Sequence, residues 1–257
     1  MKIKSTKEIE LEFKDAVDNS QRKNELFKMY EADQRKSVQA LISKIKRQDA
    51  RLEDEKKRVD NMCFFENKYN MFSMICGIDE AGRGPLAGPV VAGAVILPKD
   101  CRIMYINDSK KLSAKKRDEL YDEIREKALE VGVGVVDNKR IDEINILQAT
   151  YEAMREAIGE LKTEPDIFLN DAVKIPGILT KQVPIIKGDA KSQSIAAASI
   201  IAKVTRDRIM EAFDILYPEY GFSKHKGYGS AAHIDAIKKY GPCPIHRKTF
   251  IKSFVNI

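Results

Sequence analysis

Before residue 64 the apolar positions recur every three or four residues on a charged background; after it they gather into short continuous runs. Residues 1–62 contain neither Pro nor Gly, and Val38, Leu41, Ile42, Ile45 and Leu52 fall at helical spacing. This pattern predicts helices over about 5–16, 20–31 and 34–61. The charged face of residues 47–59 reads first as solvated helix surface, with DNA contact as the alternative. The composition changes over residues 64–72, where apolar strands are expected to begin. Two apolar runs flank a tight loop and predict a hairpin over 74–80 and 89–97. Ser113 then caps a helix to about 130, with Leu120, Ile124 and Leu129 on one side. A strand follows over 131–136, and then a helix over 141–161 that turns Ile144, Leu147, Met154, Ile158 and Leu161 to the core. Short strands are expected at 167–169 and 183–186. A long helix over 194–216, a shorter one over 231–240 and a last helix after Pro244 complete the pattern. Alternating strands and helices imply an α/β fold, a mixed central sheet flanked by helices. A helical N-terminal extension (1–70) precedes the main domain (71–257).

Charge changes this picture by its distribution more than by its net value of +6. Basic and acidic side chains number 17 and 14 in residues 1–70, 16 and 19 in 71–186, and 12 and 6 in 187–257. A basic flank beside an acidic centre suits a polyanion held over a metal site. Cys63, Cys76, Cys101 and Cys243 are scattered, which argues against both a zinc site and a disulfide framework. Cys76 lies in an apolar run and reads as a buried thiol. No apolar run reaches transmembrane length and the N-terminus lacks a signal-peptide core, so a soluble, cytoplasmic protein with no membrane partner is expected.

Candidate chemistry concentrates in residues 77–90. Asp79 and Glu80 end an apolar run and enter a loop holding Gly82, Arg83, Gly84 and Gly88. Adjacent buried carboxylates repel each other unless a cation neutralises them, and hard divalent ions prefer oxygen ligands. The glycines let backbone approach a ligand, and Arg83 brings a permanent cation suited to phosphate. The loop leads into a strand and its glycines have the wrong spacing, which excludes a dinucleotide-binding fingerprint; no phosphate-binding G-x-x-x-x-G-K-[ST] occurs. Two further apolar strands end in acid, at Asp171 and Asp189. Strand ends are where open α/β sheets gather ligands, so four carboxylates there fit a two-metal phosphodiesterase centre.

These residues resemble the signature of the bacterial ribonuclease HII family. The resemblance extends in order through Asp108-Ser109-Lys110-Lys111-Leu112, Leu169-Asn170-Asp171-Ala172, Lys187-Gly188-Asp189-Ala190-Lys191-Ser192, the segment 194–199, Arg206-Asp207, Lys226-Gly227-Tyr228-Gly229 and His246-Arg247. It covers roughly residues 71–257 and implies a ribonuclease H-like fold. It also implies an endoribonuclease that cuts the RNA strand of RNA–DNA hybrids and nicks 5′ to ribonucleotides in duplex DNA. Such an enzyme uses Mg²⁺ or Mn²⁺ and leaves 3′-hydroxyl and 5′-phosphate ends. The sister family, ribonuclease HIII, has Thr where Arg83 stands and carries a different extension.

By this resemblance Asp79, Glu80, Asp171 and Asp189 are catalytic metal ligands, Asp189 serving the second ion with substrate in place. Asn170 stands where the family more often has an apolar residue, with only a local effect expected. Gly82, Arg83 and Gly84 engage the 2′-hydroxyl and phosphate at the RNA–DNA junction, and Tyr228 stacks on the next sugar. Lys110, Lys187, Lys191, Ser192 and Ser194 are candidate phosphate contacts, the two serines equally candidate helix caps. Asp207 reads as an ion-pair partner. His225, His233 and His246 are not expected to cluster, and a histidine general base is disfavoured. Phe250 and Phe254 predict a tail docked on the core; a monomer is expected, with a sliding-clamp contact as the further partner. A non-catalytic nucleic-acid binder and an integrase-like DNA nuclease are the competing classes. Intact strand-end acids oppose the first, and the Gly82–Gly84 loop with Tyr228 opposes the second.

Overall fold

A computed structural model of the chain describes residues 4–17 and 19–253, which form two compact units, Met1–Arg58 and Val59–Ile257. In the first, α1 (Thr6–Asp15), α2 (Ser20–Tyr30) and the start of α3 (Lys36–Met62) share a core. Ser5 and Glu8 form a reciprocal capping box that starts α1. Ile9, Phe13, Leu26, Tyr30, Val38, Leu41, Ile42 and Ile45 are buried together. Leu52 is 40% exposed, so the stripe that α3 gives to this core ends at Ile45, and the helix is mostly exposed from there until Val59 and Met62 are buried at its end.

The second unit begins inside α3, before the division at residue 70. Its first elements pack on the sheet: Met62 enters one core cluster, and Phe65, Tyr69 and Phe72 cover another. Residues 64–72 therefore do not start a strand. Phe65, Tyr69 and Phe72 stand at helical spacing, and Phe64–Lys68 forms the short helix α4.

Among the described residues the sheet has five strands: β1 (Ile75–Ala81), β2 (Val90–Ile96), β3 (Glu130–Val136), β4 (Ile167–Asp171) and β5 (Lys181–Ile185). Their order is β3-β2-β1-β4-β5. β1 pairs antiparallel with β2 and β2 with β3, while β1–β4 and β4–β5 are parallel. The mixed sheet has helices on both faces. α6 (Asn138–Gly159) packs against Cys76, Ile78, Ala92 and Ala94, and α7 (Gln193–Leu216) takes the other face. Gly77 makes the α7 contact possible, because a Cβ there would lie 2.1 Å from the Ser194 carbonyl carbon. α5 (Ala114–Lys127), capped by Ser113, packs beside α7, and the chain closes with α8 (Phe222–His225), α9 (Ala231–Tyr240) and α10 (Lys248–Ile251).

Two expected core positions fail for local reasons. Leu129 lies past the end of α5 and is exposed. Leu147 follows Asn145, whose φ of 68° breaks α6; the Asn145 Oδ1 accepts the Leu147 and Gln148 N–H groups and restarts the helix in a new phase. Leu147 thereby turns outward, 39% exposed. Ile186, expected at the end of β5, is likewise exposed, and the strand starts earlier, at Lys181.

Candidate active site

Because β1, β4 and β5 run parallel, their C-terminal ends share one edge of the sheet. Asp79 and Asp171 each follow a paired residue, Ile78 beside Asn170, and by the alternation of side chains both face α7. Asp79 is 4% exposed; its Oδ1 accepts the Glu80 N–H at 2.7 Å, and Ser199 of α7 bonds its side chain. Asp171 Oδ1 accepts the Gly188 N–H at 2.7 Å, which ties the end of β4 to the 3₁₀ turn (Gly188–Ala190) carrying buried Asp189. Asn170 settles locally, its Nδ2 donating to Val173 O and Gln182 Oε1.

These acids stand in one another's fields. Burial pushes the Asp79 carboxyl well above the usual range, and the charges of Glu80 and Asp171 add to it. Burial also raises Glu80, against the pull of Arg83, whose Nη1 lies 3.2 Å from Glu80 Oε1. Asp189 is raised by burial and by Asp108 and Asp171. Lys110 answers them: burial depresses its ammonium, but Asp79, Asp108 and Asp189 outweigh that and raise it. Among the described residues no three His, Cys, Asp or Glu side chains are drawn into ready-made ligand geometry. The donor set still fits a hard divalent cation, since it offers clustered carboxylate oxygens whose ionisation burial and mutual repulsion oppose, with Lys110 and Arg83 the main nearby positive charges and a bound cation able to relieve the rest.

The loop after β1 is held from behind by two buried arginines. Arg206 donates to Pro89 O, Ala87 O and Lys226 O, and Arg247 donates to Gly82 O, Arg83 O, Gly88 O and Pro89 O. Gly82, at φ 96°, lies so close to them that a Cβ would be 2.1 Å from Arg206 Nε. Burial lowers Arg206 to about 10 and Arg247 to about 9, which leaves both cationic at neutral pH. The loop's outer side, Arg83 and Gly84, is exposed, and Tyr228, a residue 44% exposed, lies next to Gly84. Lys203 Nζ and Arg206 Cζ are 6.0 and 5.9 Å from that ring's centroid.

The remaining expected contacts divide. Lys110, Lys187 and Lys191 are exposed near the acids. Ser192 and Ser194 are buried: Ser192 Oγ donates to Glu66 Oε1 at 2.6 Å and caps α7, and the Ser194 N–H donates to the same oxygen. Ser192 takes the helix-cap alternative, its Oγ also accepting the Ile195 N–H, whereas Ser194 lies in the first turn of α7 and meets Glu66 through its backbone. Asp207 is an ion-pair residue, with Lys203 at 2.6 Å and Arg117 at 3.7 Å. Cys76 is a buried thiol, and Phe250 packs on the core; Phe254 lies outside the described residues.

The histidines overturn their expectation. The His225 and His233 rings stack at 4.4 Å between centroids, and His233 Nε2 lies 3.0 Å from His246 Nε2. Their spacing in sequence hides this, because the end of α8, the start of α9 and the loop before α10 meet only in three dimensions. The clamp role of Arg206 and Arg247 is likewise hidden in the sequence, since their carbonyl partners lie far away along the chain. The one legible signal was Arg206 itself, a charge on the same stripe as Ala202 and Met210 of α7.

Comparison with known proteins agrees with this arrangement. The family model described as ribonuclease HII matches residues 76–253, and that of the ribonuclease HII N-terminal domain matches 5–70. The chain is 60% identical over 227 residues to the ribonuclease HII of Lachnoclostridium phytofermentans, covering 88% of this chain and 89% of that protein. The ribonuclease H2 of Pyrococcus horikoshii superposes with a TM-score of 0.58 at 29% identity, over 70% of this chain and 96% of that one. The ribonuclease HII in the PCNA:RNase HII complex of Archaeoglobus fulgidus gives 0.55 at 29% identity, over 68% and 93%. Acids at the parallel strand ends, an Arg-clamped glycine loop and matches over nearly the whole length lead to one assignment: the chain belongs to the ribonuclease HII family, metal-dependent endoribonucleases that cut the RNA strand of RNA–DNA hybrids.

Proposed function

We propose that this protein hydrolyses the RNA strand of RNA–DNA hybrids and also nicks duplex DNA on the 5′ side of an embedded ribonucleotide. The observation that carries the reading is the set of acids at the parallel strand ends, buried Asp79 and Asp189 with half-buried Glu80 and Asp171, beside the exposed Arg83–Gly84 loop edge and Tyr228. The four acids would hold two ions, Mg²⁺ or Mn²⁺. Bound there, such ions supply an activated water and charge stabilisation on the departing oxygen. Lys110, held among the acids, and Lys187 and Lys191 beside them take the flanking phosphates. Glu80 holds Arg83 at the mouth of the site, where its guanidinium and the backbone of Gly82 and Gly84 meet the 2′-hydroxyl and junction phosphate. Tyr228 stacks on the following sugar and leaves no room for a second hydroxyl. The bond from phosphorus to the 3′-oxygen breaks as the bond to the water oxygen forms; the water gives up a proton and the 3′-oxygen gains one. The products are a 3′-hydroxyl and a 5′-phosphate. The division at residue 70, a cytoplasmic location and a sliding-clamp contact belong to the same reading; among the described residues no helix is long and apolar enough to cross a membrane.

The test compares three substrates: a duplex with one ribonucleotide, an RNA–DNA hybrid and an all-DNA duplex, each with Mg²⁺, with Mn²⁺ and with chelator. Cleavage of the first two only, requiring metal and leaving 3′-hydroxyl ends, is expected. Cleavage of the all-DNA duplex, or cleavage that survives chelation, would overturn the reading.

A further inference from the structure

Tyr228 carries an exposed ring, so the position of that ring is set chiefly by its backbone. That backbone is fastened on several sides. The Tyr228 N–H donates to His225 O at 2.9 Å, and Gly227 O accepts from Leu86 N at 2.8 Å, joining this segment to the loop after β1. Tyr228 O accepts from the Ser230 N–H at 2.8 Å and from His233 Nδ1 at 2.9 Å.

The histidine contacts form a chain with one consistent set of protons. His246 Nδ1 accepts the Cys243 N–H at 2.9 Å, so in a neutral ring the proton must sit on Nε2. His246 Nε2–H then donates across 3.0 Å to His233 Nε2, which leaves the His233 proton on Nδ1, the tautomer that a carbonyl partner requires. Both rings are buried, 0% and 2% exposed, and burial lowers each to about 4, so both are neutral at physiological pH. His225 buttresses the same turn: its Nδ1 accepts the Gly227 N–H, its Nε2 faces Tyr220 O at 2.8 Å, and its ring stacks on His233. A buried imidazole pair hydrogen-bonded end to end, from the Cys243 N–H to the Tyr228 carbonyl, fixes geometry.

We propose that His233 is a positioning residue for the reaction: its Nδ1–H, set by the chain from Cys243 through His246, pins the Tyr228 carbonyl and so places the Tyr228 ring against the sugar. This rests on the stacking role given to Tyr228 above. The same chain makes Cys243 and His246 remote parts of the device.

The side chains that test it differ in where they put an amide. Asn at 233 places its donor near the Nδ1 position, whereas Gln reaches toward Nε2 and His246. His233→Asn is expected to keep the single-ribonucleotide nicking rate within about threefold, while His233→Gln loses about tenfold in kcat with little change in KM, as a small displacement of a positioning group does. In a Tyr228→Ala background the Gln penalty should vanish, because both changes act through one ring. Equal effects of Asn and Gln, or a Gln penalty that persists without Tyr228, would overturn the proposal. If Tyr228→Ala alone leaves nicking unchanged, the stacking role itself fails instead. Nitrogen-15 NMR of the unaltered protein gives a readout independent of any variant. It should find the Nδ1–H tautomer at His233 and Nε2–H at His246; the opposite pair would overturn the proposal even if a variant failed to fold.

Discussion

At Asp79 the chain keeps a carboxylate where burial and two acidic neighbours oppose its charge. Its folded pKa lies above its unfolded one, so stability is favoured by the protonated form and is lost as pH rises through the folded value. At neutral pH the metal-free protein therefore retains this acid against its own stability, a pattern expected of a functional group. Asp79→Asn separates the two. It should raise the melting temperature of the metal-free protein, since about 1 kcal/mol of relief reads as roughly 2–4 °C in a chain of this size. It should lower cleavage at least about 100-fold, equivalent to ~2.7 kcal/mol of lost transition-state stabilisation, while hybrid binding persists. A variant that melts lower, or that retains a tenth of the activity at saturating Mg²⁺, would contradict this account.

Between elements, the site depends on two buried cations fastened to main-chain carbonyls. Arg247 alone donates to Gly82, Arg83, Gly88 and Pro89, and its planar fork reaches all of them from one stem. Lysine has a single donor centre, so Arg247→Lys leaves several buried carbonyls unpaired. We expect a loss of at least about 3 kcal/mol in urea unfolding, since each unsatisfied group costs roughly 1–3 kcal/mol. A loss under 1 kcal/mol would mean that the loop holds without the clamp. What the sequence conveyed and what it concealed divide at this scale. The hairpin, the parallel strands ending in Asp171 and near Asp189, and the long α7 were legible because apolar periodicity and local caps determine them. The break at Asn145 was not, because nothing in a polar residue within a helical run announces that the helix restarts there in a new phase. Ser192 and Ser194 looked like phosphate contacts because their partner, Glu66, lies far away in sequence. The histidine chain and the arginine clamp were hidden for the same reason: a buried polar group is recognised by its partners, and these are distant along the chain.

For the whole molecule, the boundary between its two compact units decides how the N-terminal region can be tested. The second unit starts at Val59, and Glu66 holds the start of α7 by accepting from Ser192 Oγ and Ser194 N. A chain beginning at Asn70 would strip that carboxylate and the packing of Met62 and Phe65, leaving two buried donors unpaired. It should melt well below a chain beginning at Val59, and it is unsuited to any question about nucleic acid. The Val59 chain poses that question cleanly, since it keeps every strand-end acid, both buried arginines and Tyr228. If basic side chains of the first unit lie along DNA, each phosphate contact they make adds about 0.9 to the slope of log affinity against log salt. The Val59 chain is then expected to keep its cleavage rate at saturating hybrid while binding duplex more weakly, with a slope shallower by about one to three units. Affinities measured between low and moderate salt for the two chains give the comparison. Identical slopes and affinities would remove the first unit from the nucleic-acid surface and assign its helices to packing or to a protein partner.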